Sequence, residues 1–396
     1  MAVFSRRTPD DLGPNRLARA RAEAHAAGRD LIDLTESNPT RAGFDYPPDV
    51  LEALCRPASR SYTPEPLGML AARTAVAAEY ARRGVDVRPG RIVLTASTSD
   101  AYSLLFKVLC DPGDDVLVPR PSYPLLEHLA RLDAVAISTY DLEYHGRWSI
   151  DRRSVAQAFT PRTRALLIVH PNNPTGSFVG PDELADLAGF CGAHDAALVA
   201  DEVFADYELT PGASRGAARI ADRPDVLTFS LGGLSKSAGL PQLKLGWIAV
   251  SGPDAAAAEA LARLEYACDA YLAVSTPVQV AAAGLIEQGS AVRGQIQARI
   301  AANFRHLRDA VATDDPCRVL EAEGGWYAVI QVPTIDTEEE LVLALLTQKD
   351  VLVHPGYFFD FPRESYLIVS LLPPEARFAA GVARLLGHVR RRSGAA

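Results

Sequence analysis

Between residues 91 and 250 the chain alternates short apolar runs with helical stretches, and few architectures accommodate that pattern. The runs 91–95, 114–119, 134–140, 165–170, 197–201, 226–230 and 245–250 each hold apolar residues at neighbouring positions, 165–170 almost throughout. A strand with one wet face alternates polar and apolar side chains. A strand apolar on both faces is covered on both. The stretches 99–109, 124–132, 152–158 and 181–195 between the runs read as helices. The expectation is an α/β fold, with a large domain whose mostly parallel, seven-stranded sheet lies between helices. Residues 252–310 are mostly helical, with candidate helices at 255–266 and 277–286 and a long one from 289. Short strands at 318–333 and 366–371, with helices at 337–347 and 374–390, suggest a second, smaller α+β domain. A helix at 15–30 and a strand at 31–34 are expected to join it. The division then falls at 50–285 for the large domain, and 1–49 with 286–396 for the small one.

The 396 residues, 48% of them hydrophobic, are ample for such cores. A net charge of -9 disfavours binding to a nucleic-acid backbone, and Arg390-Arg391-Arg392 reads as a solvated tail. Five scattered cysteines without metal-ligand spacing point to a reducing, cytoplasmic setting and to no metal. The N-terminus shows no apolar signal stretch, and no run approaches the 18 apolar residues of a membrane span.

In open α/β sheets ligands sit beyond the carboxyl ends of the strands, where four polar clusters fall. Ser97-Thr98-Ser99 opens a helix; hydroxyls and free amides there suit an anion, or simply cap the helix. Pro171-Asn172-Asn173-Pro174-Thr175-Gly176 places an amide between prolines, for a ligand or for a rigid turn. Asp201 ends a buried strand and needs a cationic or proton-bearing partner. Lys236 lies in Gly232-Gly233-Leu234-Ser235-Lys236-Ser237. A lysine there is either a surface residue of a Gly/Ser loop or a partly buried amine that forms Schiff bases. Phosphate cup, acid, amide and amine together match the needs of pyridoxal phosphate.

In this order the motifs resemble the class I/II aminotransferases, fold type I pyridoxal-phosphate enzymes, from about residue 30 to 385. The resemblance implies that Lys236 carries pyridoxal 5′-phosphate as a Schiff base and shuttles the substrate proton. It implies that Asp201 pairs with the ring nitrogen, Asn173 with the ring oxygen, and Tyr123 with the ring face. Thr98, Ser99, Ser235 and Lys244 would hold the phosphate. Tyr62 would reach the phosphate of a second subunit, which implies a homodimer, with Ser275 and Thr276 near that boundary. Asn38 lies in the loop that covers the substrate in this family.

Three positions depart from the family's pattern. Phe204 stands where a tyrosine commonly donates to the ring oxygen, a loss that would raise the Schiff-base pKa. Lys244 replaces an arginine, keeping charge but not the bidentate fork. Ile368, in Tyr366-Leu367-Ile368-Val369-Ser370, replaces the arginine that holds the substrate carboxylate. Arg363 is the nearest cation in sequence, and His354 is close. Trp326, Tyr327, Tyr357, Phe358, Phe359 and Phe361 either line an apolar pocket or fill the small domain's core. The reaction expected is amino transfer from an amino acid or amine to a 2-oxo acid. The alternatives are a lyase or decarboxylase of the same fold, or a non-catalytic binding protein, against which intact Lys236, Asp201 and Asn173 argue.

Overall fold

The computed structural model describes residues 3–216, 220–221 and 223–394. The chain begins with α1 (Arg16–Ala26), capped by the Asn15 side chain accepting from the Ala18 amide, and β1 (Ile32–Asp33). Then come α2 (Leu70–Arg82), β2 (Ile92–Thr95), α3 (Thr98–Leu109), β3 (Asp115–Arg120), α4 (Leu125–Leu132) and β4 (Ala136–Tyr144). β5 (Trp148–Ile150), α5 (Arg152–Ala158), β6 (Thr163–Val169), α6 (Pro181–Ala193) and β7 (Ala197–Asp201) follow. β8 (Thr228–Gly233), α7 (Leu234–Ser237), β9 (Gly246–Ser251), α8 (Asp254–Tyr271) and α9 (Thr276–Asp309) complete the large α/β layers. The remainder is β10 (Arg318–Val319), β11 (Tyr327–Gln331), α10 (Glu338–Lys349), β12 (Val351–Leu352), β13 (His354–Pro355), β14 (Tyr366–Ser370) and α11 (Glu375–Ser393).

The large sheet has the order β2-β9-β8-β7-β6-β3-β4-β5. It holds eight strands, not the seven expected. The additional strand, β5, is three residues long and pairs antiparallel with the end of β4, too short to leave a pattern in the sequence. From β8 to β4 every pairing is parallel. β9 runs antiparallel to both β2 and β8, so β2 points the same way as β8. The carboxyl ends of β2, β3, β6, β7 and β8 therefore lie along one edge. Alternate residues of the central strands enter different cores: Leu166, Ile168, Leu198 and Ala200 one, and Ala165, Leu167, Ala197 and Val199 the other. That two-sided burial is why these segments read as continuous apolar runs.

The two helices expected at 277–286 and from 289 are one unbroken α9. Gly289, inside this helix, permits a close approach. A Cβ on it would stand 2.3 Å from the Cβ of Ala238, just past α7. The smaller α+β domain has an antiparallel sheet, β10-β11-β14-β13. β1 pairs in parallel with β12 and α1 packs on α10, so the N-terminal segment is built into this part of the fold.

A buried ion network fixes α9 and α2 to the loop beyond β7. Glu79 of α2, 7% exposed, accepts from Arg82 and, at 2.8 Å, from Arg293 of α9. Asp206 pairs with Arg82. Glu79→Ala leaves Arg293 buried with its main counter-charge gone, and breaking such a pair costs about 3 kcal/mol. Urea denaturation should show the midpoint falling with the slope unchanged.

Candidate active site

α7 follows β8 directly and places Lys236 at the sheet edge, one strand from Asp201 at the end of β7. Four residues make barely one helical turn, so its carbonyls need partners from elsewhere. Tyr207 donates its hydroxyl to the Lys236 carbonyl at 2.5 Å, and Arg293 donates to the Ser237 carbonyl at 3.0 Å. Tyr46 donates to the Gly239 carbonyl at 2.6 Å. The backbone around the lysine is thus held by three distant side chains.

The Lys236 amine is only partly exposed. It sits 4.7 Å from the centre of the Trp326 ring and 5.5 Å from that of Phe204. Burial lowers its pKa to about 8, against an opposing pull from Asp201. The Asp201 carboxyl is pushed up, chiefly by burial, while the Val203 amide, the Tyr102 hydroxyl and Lys236 favour its charged form. Its two oxygens accept from Tyr102 at 2.8 Å and from the Val203 amide at 3.1 Å. Tyr102 is a residue that the sequence reading missed.

Asn172 and Asn173 follow β6 and are 5% and 7% exposed. The Asn172 side chain donates to the Pro121 carbonyl at 3.1 Å, linking this loop to Ser122-Tyr123 beyond β3. The buried oxygens of Ser122, Asn172 and Asn173, and the indole nitrogen of Trp326, have no hydrogen-bond partner. Buried polar groups are rarely left so, and a cluster of them marks a place where a polar ligand belongs. Gly176 accepts from the Glu323 and Gly324 amides, which brings Trp326, just before β11, to the lysine.

Thr98 and Ser99 occupy the first turn of α3, behind the Ser97 cap, where amides face the edge. Ser235 precedes Lys236 and is partly exposed, whereas Lys244 is exposed with a left-handed backbone, φ 50°. Tyr123 is 46% exposed near Tyr327. The Tyr327 hydroxyl is pushed up mainly by burial and lies near Ser37, Tyr123 and Glu36, so the Asn38 loop borders the same cleft. The Asn38 side chain itself accepts from the Thr40 amide and hydroxyl.

Two residues singled out in the sequence do not join this group within one chain. Tyr62 is 75% exposed, in a shallow groove with Asp100, Tyr271 and Thr276. Arg363 is exposed and donates weakly to the Tyr366 hydroxyl at 3.3 Å. Tyr366 pairs with Gln331, at the far end of the β11–β14 ladder from Tyr327. Four strand steps separate the two ends, about 13 Å. Ile368 is fully buried between Val329 and His354, so β14 offers no cation to a carboxylate. Burial lowers the His354 pKa to about 4, which leaves that ring neutral. Phe359 packs on Tyr327 and His354 and Phe361 on Trp148 and Tyr366, so these rings fill core, while Tyr357 is 44% exposed.

Among the described residues no helix is long and apolar enough to cross a membrane, and no group of three or more His, Cys, Asp or Glu could hold a metal.

Comparison with known proteins gives the same architecture. Alanine aminotransferase of Mycobacterium tuberculosis is 28% identical over 394 residues, covering 94% of this chain and 88% of its own length. Glutamate-pyruvate aminotransferase AlaA of Escherichia coli is 26% identical, covering 87% of each. The crystal structure of an Escherichia coli aminotransferase superimposes with a TM-score of 0.86 at 23% identity, over 100% of this chain and 99% of that one. The family model for aminotransferase class I and II matches residues 29–379, and the chain belongs to that family of fold type I pyridoxal-phosphate enzymes.

Proposed function

We propose that this protein is a pyridoxal 5′-phosphate-dependent aminotransferase that moves an amino group from an amino acid or amine to a 2-oxo acid. The observation that carries the proposal is the Lys236 amine, partly buried beside Asp201 with its pKa brought down to about 8. The orphaned oxygens of Asn173 and Ser122 and the Trp326 nitrogen fit a polar, planar group at this edge. Asp201 would hold the ring nitrogen, Asn173 the ring oxygen and Tyr123 the ring face. Thr98, Ser99, Ser235 and Lys244 would hold the phosphate, with Tyr62 acting from the second subunit of a homodimer. When bound, pyridoxal phosphate supplies an electron sink for the pair of electrons left at the substrate α-carbon.

Lys236 does the proton work. A base must be partly deprotonated at working pH, and a pKa near 8 keeps roughly a tenth of the amine free at pH 7. An unshifted lysine would offer about 10²-fold less. Asp201, held by two donors, would offer its carboxylate to the ring nitrogen. Trp326 and Phe204 exclude water from the amine.

A lyase or decarboxylase is the second reading, favoured by the fully buried Ile368 in a strand without a cation. A single-turnover panel of amino acids and amines, with no acceptor present, separates the two. Transamination releases one equivalent of carbonyl product, with neither ammonia nor carbon dioxide. Ammonia or carbon dioxide released over many turnovers would contradict the aminotransferase reading. With the best donor, Arg363→Ala should leave kcat/KM within about twofold, since an exposed side chain away from the cleft contributes little. A tenfold loss would place Arg363 at the substrate.

A further inference from the structure

The α3 helix reaches the candidate site twice. Its first turn offers Thr98 and Ser99 to the sheet edge. Four residues after Thr98, on the same face of the helix, stands Tyr102. Its ring is 4% exposed and stacks on Phe106 with centroids 6.2 Å apart. Its hydroxyl donates to Oδ2 of Asp201 at 2.8 Å, across ninety-nine positions of sequence.

We propose that Tyr102 is a positioning residue for Asp201, fixing the orientation of its carboxylate and keeping it ionised for the cationic nitrogen of a bound heteroaromatic ring. The proposal rests on the reading of Lys236 and Asp201 given above. Each carboxylate oxygen takes one fixed donor, Tyr102 on Oδ2 and the Val203 amide on Oδ1. Two donors on different oxygens fix the plane of the group, and each oxygen keeps lone-pair capacity for a ligand. Among the described residues Asp201 forms no ion pair within 4 Å, so these two bonds are its main support against burial. The other charged groups near it are Lys236 from α7 and the adjacent Glu202, which oppose each other in their effect on its charge. The phenol is itself deeply buried and stays protonated, so it acts as a donor throughout the working pH range.

A tyrosine that merely filled the core would be replaced by phenylalanine at little cost, since the ring and its stacking on Phe106 remain. A positioning role predicts more. Hydrogen bonds to charged groups are the strong ones, and losing one raises the pKa of the acid that accepted it. In Tyr102→Phe, the dissociation constant for pyridoxal 5′-phosphate, measured by equilibrium dialysis of the full-length protein, should rise about 10-fold. The acid limb of cofactor retention against pH should shift upward, because Asp201 then protonates at higher pH. Borohydride should still fix the cofactor on Lys236. An unchanged dissociation constant would overturn the proposal. So would weaker binding with the acid limb unmoved, which is the signature of a packing role. If the wild-type protein takes no cofactor on Lys236, the functional reading fails and this proposal fails with it; if only Tyr102→Phe behaves as wild type, the functional reading stands.

Discussion

Replacing Lys236 with alanine should abolish turnover, lowering kcat by about 10⁴-fold or more, with little change in the urea midpoint. General acid–base groups alone contribute up to about 10⁴-fold, and Lys236 is proposed to be both that group and the covalent anchor. Stability should hold because the side chain is not part of the scaffold. The contacts of Tyr207 and Arg293 are with backbone carbonyls, which alanine keeps. The environment of the amine also sets a pH signature. Burial disfavours the ammonium, so the pKa falls from the ordinary 10.5 to about 8. The rate at which apoprotein captures added pyridoxal 5′-phosphate should therefore rise with pH through a midpoint near 8. A midpoint near 10.5 would mean an exposed, ordinary lysine. The same shift has a stability consequence. Between about 8 and 10.5 the unfolded chain binds more protons at this site than the folded one, so apoprotein stability rises with pH there.

Asp201→Ala should lower kcat by about 10²–10³-fold, the range seen when a group that stabilises developing charge is removed. The carboxylate is held by Tyr102 and the Val203 amide on one side and attracts Lys236 on the other. That attraction opposes the effect of burial on Lys236. Removing it should move the capture midpoint below the wild-type value, a shift in the direction opposite to simple loosening of the site. Steady-state kinetics together with the capture profile check both parts. A loss of kcat with the midpoint unmoved would mean that Asp201 and Lys236 do not sense each other.

The large sheet was legible in the sequence because burial on both faces leaves continuous apolar runs. Ala197–Asp201 and Arg152–Ala158 begin and end where the sequence reading placed them. β5 was not legible, since three residues cannot display a period. That 277–286 and the helix from 289 join as one α9 was not legible, since the contact between Gly289 and Ala238 belongs to the packing and not to the sequence. At the site, residues whose chemistry is unusual for their place, such as Lys236 and Asp201, stood out. Those that act through long-range contacts did not. Tyr102, Tyr46 and Arg293 are ordinary in composition and acquire meaning only from what they touch. Tyr102 left one trace, its position four residues after Thr98 on the same helix face. Arg363 shows the converse: it is near Ile368 in sequence, yet β14 carries it to the wrong end of the ladder.

The most direct test of the account is to locate the cofactor covalently. The chain has four lysines, at 107, 236, 244 and 349, so the assignment can be complete. Protein saturated with pyridoxal 5′-phosphate would be reduced with borohydride, digested and mapped by mass spectrometry. The account predicts one equivalent of cofactor mass on the peptide bearing Lys236 and none on the other three. Label on Lys107, Lys244 or Lys349 in its place, or no label at all, would contradict it.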